Sequence, residues 1–78
     1  IMKFKINLID IGRGKETQEY EQEAKDLDEI ANLVYVKVRR FLISSYVTME
    51  PDDSDEELWN VCAGFHNVGK VRIREVKE

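Results

Sequence analysis

Cys62 and His66 are the only cysteine and the only histidine of the chain, four residues apart. Residues of these types could ligate a metal or form a thiolate–imidazole nucleophile pair. A zinc centre needs three or four ligands, and the chain has one of each kind. On a strand, four residues span about 13 Å, too far for an imidazole to take the thiol proton. The pair is therefore read as structural. Gly12-Arg13-Gly14-Lys15 has the composition of a phosphate-binding loop. That loop leads from a strand straight into a helix and ends in Gly-Lys-Ser/Thr, whereas Glu16 and Thr17 follow here. It is read as a turn. With no nucleophile–base pair, metal cluster or cofactor loop in view, the expectation is a chain that is not an enzyme and carries no cofactor.

Three groups of residues suggest binding rather than catalysis. Glu50, Asp52, Asp53, Asp55, Glu56 and Glu57 form an acidic run around the only proline, Pro51. The run lacks the ligand spacing and mid-loop glycine of a calcium loop. It reads as a solvated loop over residues 50–57 whose negative field could steer a basic partner. Lys70, Arg72 and Arg74 alternate along the last apolar stretch, where a basic strand could track phosphates. Trp59, Phe65 and Tyr20 are expected to point inward, so a stacking platform for bases is missing. Nucleic acid is accordingly the alternative partner, after protein. Leu33, Val36 and Ile43 lie off the main apolar arc of a predicted helix. They are either scattered surface residues or a second face covered by another copy of the chain or by a partner.

The elements that must position these groups follow from periodicity. Phe4, Ile6 and Leu8 alternate with Lys3, Lys5 and Asn7, the pattern of a strand with one buried face. A three-residue loop at Gly12-Arg13-Gly14, with Gly14 left-handed, closes Ile11 on Lys15. Lys3 then faces Glu23, Lys5 faces Glu21 and Ile6 faces Tyr20, pairs worth roughly 0.2–1 kcal/mol each. The expected hairpin is 3–11 with 16–24, and its second strand carries Glu19, Glu21 and Glu23. Asp26 and Glu29 form a capping box. Behind it Leu27, Ile30, Ala31, Val34, Val38, Phe41 and Leu42 share an arc of about 120°. Leu33 to Val38 alone would also suit a strand, but the arc and the cap favour a helix.

From Leu58 to Asn67 two readings stand. As a strand, Trp59, Val61, Ala63 and Phe65 share the inner face. As a helix, Ser54 and Glu57 cap it and Gly64 stops it. The strand is favoured because residues 70–77 alternate and need a partner. A loop at Asn67-Val68-Gly69 would pair Phe65 with Val71 and Ala63 with Ile73. The expected fold is α+β, a two-layer sandwich. Its antiparallel four-stranded sheet, in the order β-β-α-β-β, has one helix packed on one face.

At 78 residues the chain is read as a single domain over 2–78, with Ile1 taken as a cloning remnant before Met2. Two cores do not fit in this length, and one core is close to the limit of self-sufficiency. Apolar residues at 42% and charged residues at 36% exclude a disordered tail. No membrane span or secretory leader is visible. A single thiol suits a reducing compartment, so the expected location is cytoplasmic. Twelve basic and sixteen acidic side chains leave a net charge of −4, which argues against a general nucleic-acid binder. The acids cluster between Glu16 and Glu57, and the final stretch is mostly basic.

Two hairpins around one helix on a short acidic chain resemble small phage-encoded inhibitors of host machinery. The strand-to-helix entry Ala24-Lys25-Asp26-Leu27-Asp28-Glu29 accompanies that layout. The resemblance implies a non-catalytic regulatory module acting through protein–protein contacts, and no functional residue is carried over from it.

Overall fold

Alternating apolar and charged side chains draw the N-terminal residues into strand β1 (Met2–Ile11), which turns back into β2 (Glu16–Ala24). The computed structural model describes residues 1–43 and 46–77. Along most of the hairpin the expected register holds, with Lys3 opposite Glu23, Lys5 opposite Glu21 and Ile6 opposite Tyr20. At the turn it does not. The register shifts between Leu8 and Ile11, and Ile11 pairs with Glu16. Asp10 takes φ 52°, a left-handed conformation that Asp tolerates better than most residues. Its amide donates to the Thr17 hydroxyl at 3.2 Å, which occupies the group the irregularity leaves off the ladder. Gly12 and Lys15, not Gly14, supply the left-handed residues of the turn.

Helix α1 (Leu27–Arg39) starts as its capping box requires. Asp26 is extended, and its Oδ1 accepts from the Glu29 amide at 2.9 Å. Glu29 reaches back one residue further than the motif specifies, to the Lys25 amide at 3.1 Å. Ile30, Val34 and Val38 form the buried stripe, four residues apart. The helix is shorter than its apolar arc. The amides of Arg40, Phe41 and Leu42 bond to the carbonyls three residues back, which tightens the last turn. Phe41 and Leu42 pack on the core from beyond the helix.

Three strands follow: β3 (Val47–Asp52), β4 (Asp55–Ala63) and β5 (His66–Val76). The fold is α+β, with one helix and a five-stranded antiparallel sheet in the order β2-β1-β5-β4-β3. The expectation of four strands is corrected by β3, which forms at the sheet edge from residues read as the end of the helix connection and the start of an acidic loop. The loop over residues 50–57 is itself corrected. Glu50 and Asp52 lie in β3, and Asp55, Glu56 and Glu57 lie in β4, which leaves Asp53 and Ser54 as the turn. Asp52 drives that turn, because its Oδ1 accepts from the Ser54 amide at 2.8 Å and the Ser54 hydroxyl at 2.6 Å. Pro51 is tolerated on an edge strand, where no neighbour asks for an N–H.

The strand reading that begins at Leu58 holds as far as Ala63, but the last hairpin closes elsewhere. Gly64 (φ 65°) and Phe65 form a two-residue loop, so Val71 pairs with Trp59 rather than with Phe65. The expected loop residues Asn67, Val68 and Gly69 lie inside β5. The slide from Phe65 to Trp59 is six residues, an even number, so inward and outward faces are kept. Val61, Val71 and Ile73 therefore reach the core, while Phe65 is carried out to the tip and fully exposed.

The core lies between helix and sheet: Phe4, Ile6, Leu8 and Ile11 from β1; Ile30, Val34 and Val38 from α1; Val47, Val61, Val71 and Ile73 from the other strands. Each such side chain contributes about 1.5–3 kcal/mol on burial. No helix among the described residues is long and apolar enough to cross a membrane.

Candidate functional site

The sheet face away from the helix carries the charges. β1 presents Lys3, Lys5 and Asn7, the strand opposite presents Glu19, Glu21 and Glu23, and β5 presents Lys70, Arg72 and Arg74. Lys3 meets Glu21 at 3.5 Å, and Lys5 meets Glu19. Both contacts run one step diagonally from the residues directly opposite.

The acidic run and the basic strand, read separately in the sequence, are joined by the fold. Arg72 Nη1 lies 3.0 Å from Asp55 Oδ2 and 3.4 Å from Glu57 Oε1. Arg74 Nε lies 3.3 Å from the same Glu57 oxygen. The Glu57 amide and the Arg72 guanidinium hold the Asp55 carboxyl below its ordinary range, and Asp55 in turn raises Arg72. Asp52 is held lower still, at about 2, first by its hydrogen bonds from Ser54 and then by the Asn60 amide. Half of the acidic run is thus committed to internal contacts. Glu50, Asp53 and Glu56 stay exposed, and so does Lys70. A phosphate approaching Arg72 would have to displace two carboxylates, which weakens the nucleic-acid reading of Lys70, Arg72 and Arg74.

The apolar line is split. Leu33 and Val36 are 42% and 55% exposed on one flank of α1. Leu33 is one helical turn from Lys37, whose ammonium sits 3.6 Å above the ring centroid of Tyr20 in β2. The Leu33 side of α1 therefore adjoins the β2 edge of the sheet, and Val36 is turned further round toward solvent. Ile43 does not continue it. The helix has ended by then, and Ile43 is 91% exposed on the connecting segment. Its neighbours Ser44 and Ser45 lie outside the described residues. Cys62 and His66 stand on different strands across the last turn, with Asn67 opposite Cys62 and Ala63 opposite His66.

A site that the sequence reading did not assemble lies at the turn end of the sheet. There the β1–β2 turn approaches the segment after α1 and the start of β5. Together they bound an open groove of about 690 Å³. Ile9, Phe41, Leu42 and Val68 give it an apolar floor, and Arg13, Lys15 and Lys70 stand at its rim. The Gly12 amide donates to the Val68 carbonyl at 2.8 Å, which ties the turn to β5. A side chain at Gly12 would meet the Phe41 carbonyl oxygen at 2.8 Å, so only glycine lets the turn come this close. The visible signal in the sequence was the glycine-rich basic turn. What it faces depends on Phe41 and Leu42, which no local pattern places. A second, smaller groove of about 440 Å³ separates α1 from β3 and β4, beside Tyr35, Met49 and Trp59. Tyr35 spans that side, donating its hydroxyl to the Val47 carbonyl at 2.9 Å.

Compared with family models, with curated proteins and with solved structures, the chain matches none of them.

Proposed function

We propose that this domain is a small non-catalytic binding and regulatory module acting through contact with a protein partner, in the manner of the phage- or mobile-element-encoded inhibitors whose layout it resembles. The observation that carries the reading is the pair Leu33 and Val36. Both are exposed on α1, and Leu33 lies one turn from Lys37, which sits over Tyr20 of edge strand β2. Neighbouring apolar side chains left exposed on one side of a helix mark a candidate interface. Around the β2 edge, on the sheet face away from the helix, Glu19, Glu21 and Glu23 favour a partner with a basic rim, and such charges hasten encounter more than they add affinity. The exposed members of the acidic hairpin, Glu50, Asp53 and Glu56, form a separate negative patch at the opposite edge of the sheet. The cytoplasm suits such a role, since the lone thiol of Cys62 stays reduced there.

The test is capture from native lysate of the source cells by the tagged domain, with competition by the untagged one. Replacing Leu33→Asp together with Val36→Asp should reduce specific capture about tenfold or more, because two interface anchors each cost upwards of about 1 kcal/mol. Capture no better than a charge-matched control, or capture indifferent to the double variant, sinks the reading. Sedimentation of the free protein separates a foreign partner from a second copy. A dimer that the double variant dissolves would assign the flank to self-association.

A further inference from the structure

We propose that the groove at the turn end of the sheet binds a small organic anion with an apolar body, of the class of medium-chain or aromatic carboxylates. The inference is independent of the protein-contact surface on α1. Three features of the groove carry it. Its volume of about 690 Å³ falls within the range of about 300–1,000 Å³ usual for small-ligand clefts. Its floor of Ile9, Phe41, Leu42 and Val68 is apolar, so it rewards an apolar body and offers little to a bare inorganic ion.

Its rim is positive in a chain whose net charge is −4. On the outer sheet face Lys3, Lys5, Arg72 and Arg74 are matched by carboxylates. Arg13, Lys15 and Lys70 form no ion pair among the described residues, although the charge of Lys70 also acts on Asp52, and all three are exposed where they line the groove. One carboxylate, Asp10, also lines the groove, and it accepts a hydrogen bond from the Thr17 hydroxyl. The rim therefore keeps an excess of cations beside apolar surface, where a charge-assisted hydrogen bond is stronger than in open water. The walls are preorganised, since the Gly12–Val68 hydrogen bond and the tight approach of Gly12 to Phe41 fix the turn against the floor.

Monomeric decanoate is a suitable probe, followed by backbone amide shifts in solution. The expected result is saturable shifts at the amides of residues 12–15, 41–42 and 68–70. Arg13→Glu with Lys15→Glu should weaken binding about tenfold or more, with the fold intact by circular dichroism. Lys70→Glu, an exposed change on a different element, should weaken it in the same direction. Decanol should bind about tenfold more weakly than decanoate. Absence of saturable shifts, equal affinity for decanol, or indifference to both charge reversals overturns the proposal. Co-sedimentation with phosphatidylglycerol vesicles without binding of monomeric decanoate would overturn it as well, in favour of a membrane surface.

Discussion

Gly69 has φ 152° inside β5, and a side chain there would meet the Ile11 Cδ1 atom at 2.6 Å and the backbone of Asp10 and Ile11 at 3.0 Å. Gly14 has open space around it and no positive φ. The two glycines therefore differ in what they permit. Gly69→Ala should lower stability by about 1–3 kcal/mol, since both the strained backbone and the clash must be absorbed. Gly14→Ala should be neutral or raise stability by up to about 1 kcal/mol, by reducing the freedom of the unfolded chain. Urea midpoints of the two variants check this, and a larger loss at Gly14 would restore the three-residue loop with Gly14 left-handed. From the sequence the two positions look alike, because each ends a short glycine-containing segment between apolar runs. What separates them is the distance to β1, a tertiary quantity.

At the scale of elements, α1 and the first hairpin were legible for the same reason. Their signals are local and mutually consistent: period 3.6 behind a capping box, and period 2 on both sides of a glycine turn. The last hairpin was half legible. Its strands and faces follow from alternation, yet two loops satisfy that alternation equally, one at Asn67-Val68-Gly69 and one at Gly64-Phe65. The structure takes the shorter, and this makes a measurable difference. Phe65→Ser should change stability by no more than about 0.5 kcal/mol, as expected at an exposed tip. A buried Phe in the other register would cost about 3–5 kcal/mol on truncation. Ile6→Ala, in the centre of β1, should cost about 2–5 kcal/mol and serves as the core reference. Thermal or urea unfolding of both variants decides between the registers. β3 was the element least visible. Its acids read as a loop, and only pairing with β4 makes an acidic, proline-bearing segment into an edge strand.

Over the whole molecule, charge is arranged in stripes across the outer sheet face: acids on β2, bases on β1 and β5, and acids again on β4. Arg72 is the bridge between the last two stripes. Arg72→Ala should lower the unfolding midpoint at low ionic strength by less than any core truncation, and the loss should shrink as salt shortens the screening length. A loss that is independent of salt would mean that Arg72 acts through packing of its stem and not through its charge. The groove belongs to this scale as well, since its floor and rim come from three separate segments of the chain. Its rim residues Arg13 and Lys15 were noticed in the sequence as part of a glycine-rich turn, and Lys70 as part of a basic strand. Nothing in their spacing relates them to each other or to Phe41.

The sequence by itself determined the class of the fold, the helix and its cap, the first hairpin apart from its turn, and which strand faces turn inward, Phe65 excepted. These rest on periodicity and on contacts within a few residues, where each side chain carries its own signal. Only the tertiary structure decided the fifth strand, the closure of the last hairpin, the pairing of Arg72 with Asp55 and Glu57, and the assembly of the groove. Those depend on which distant segments come to lie together, and registers that differ by an even number of residues bury the same faces. The net charge of −4 could not separate acids that are internally matched from cations that form no ion pair among the described residues at one end of the sheet. That separation is a fact of position, and it is where the proposed anion site originates.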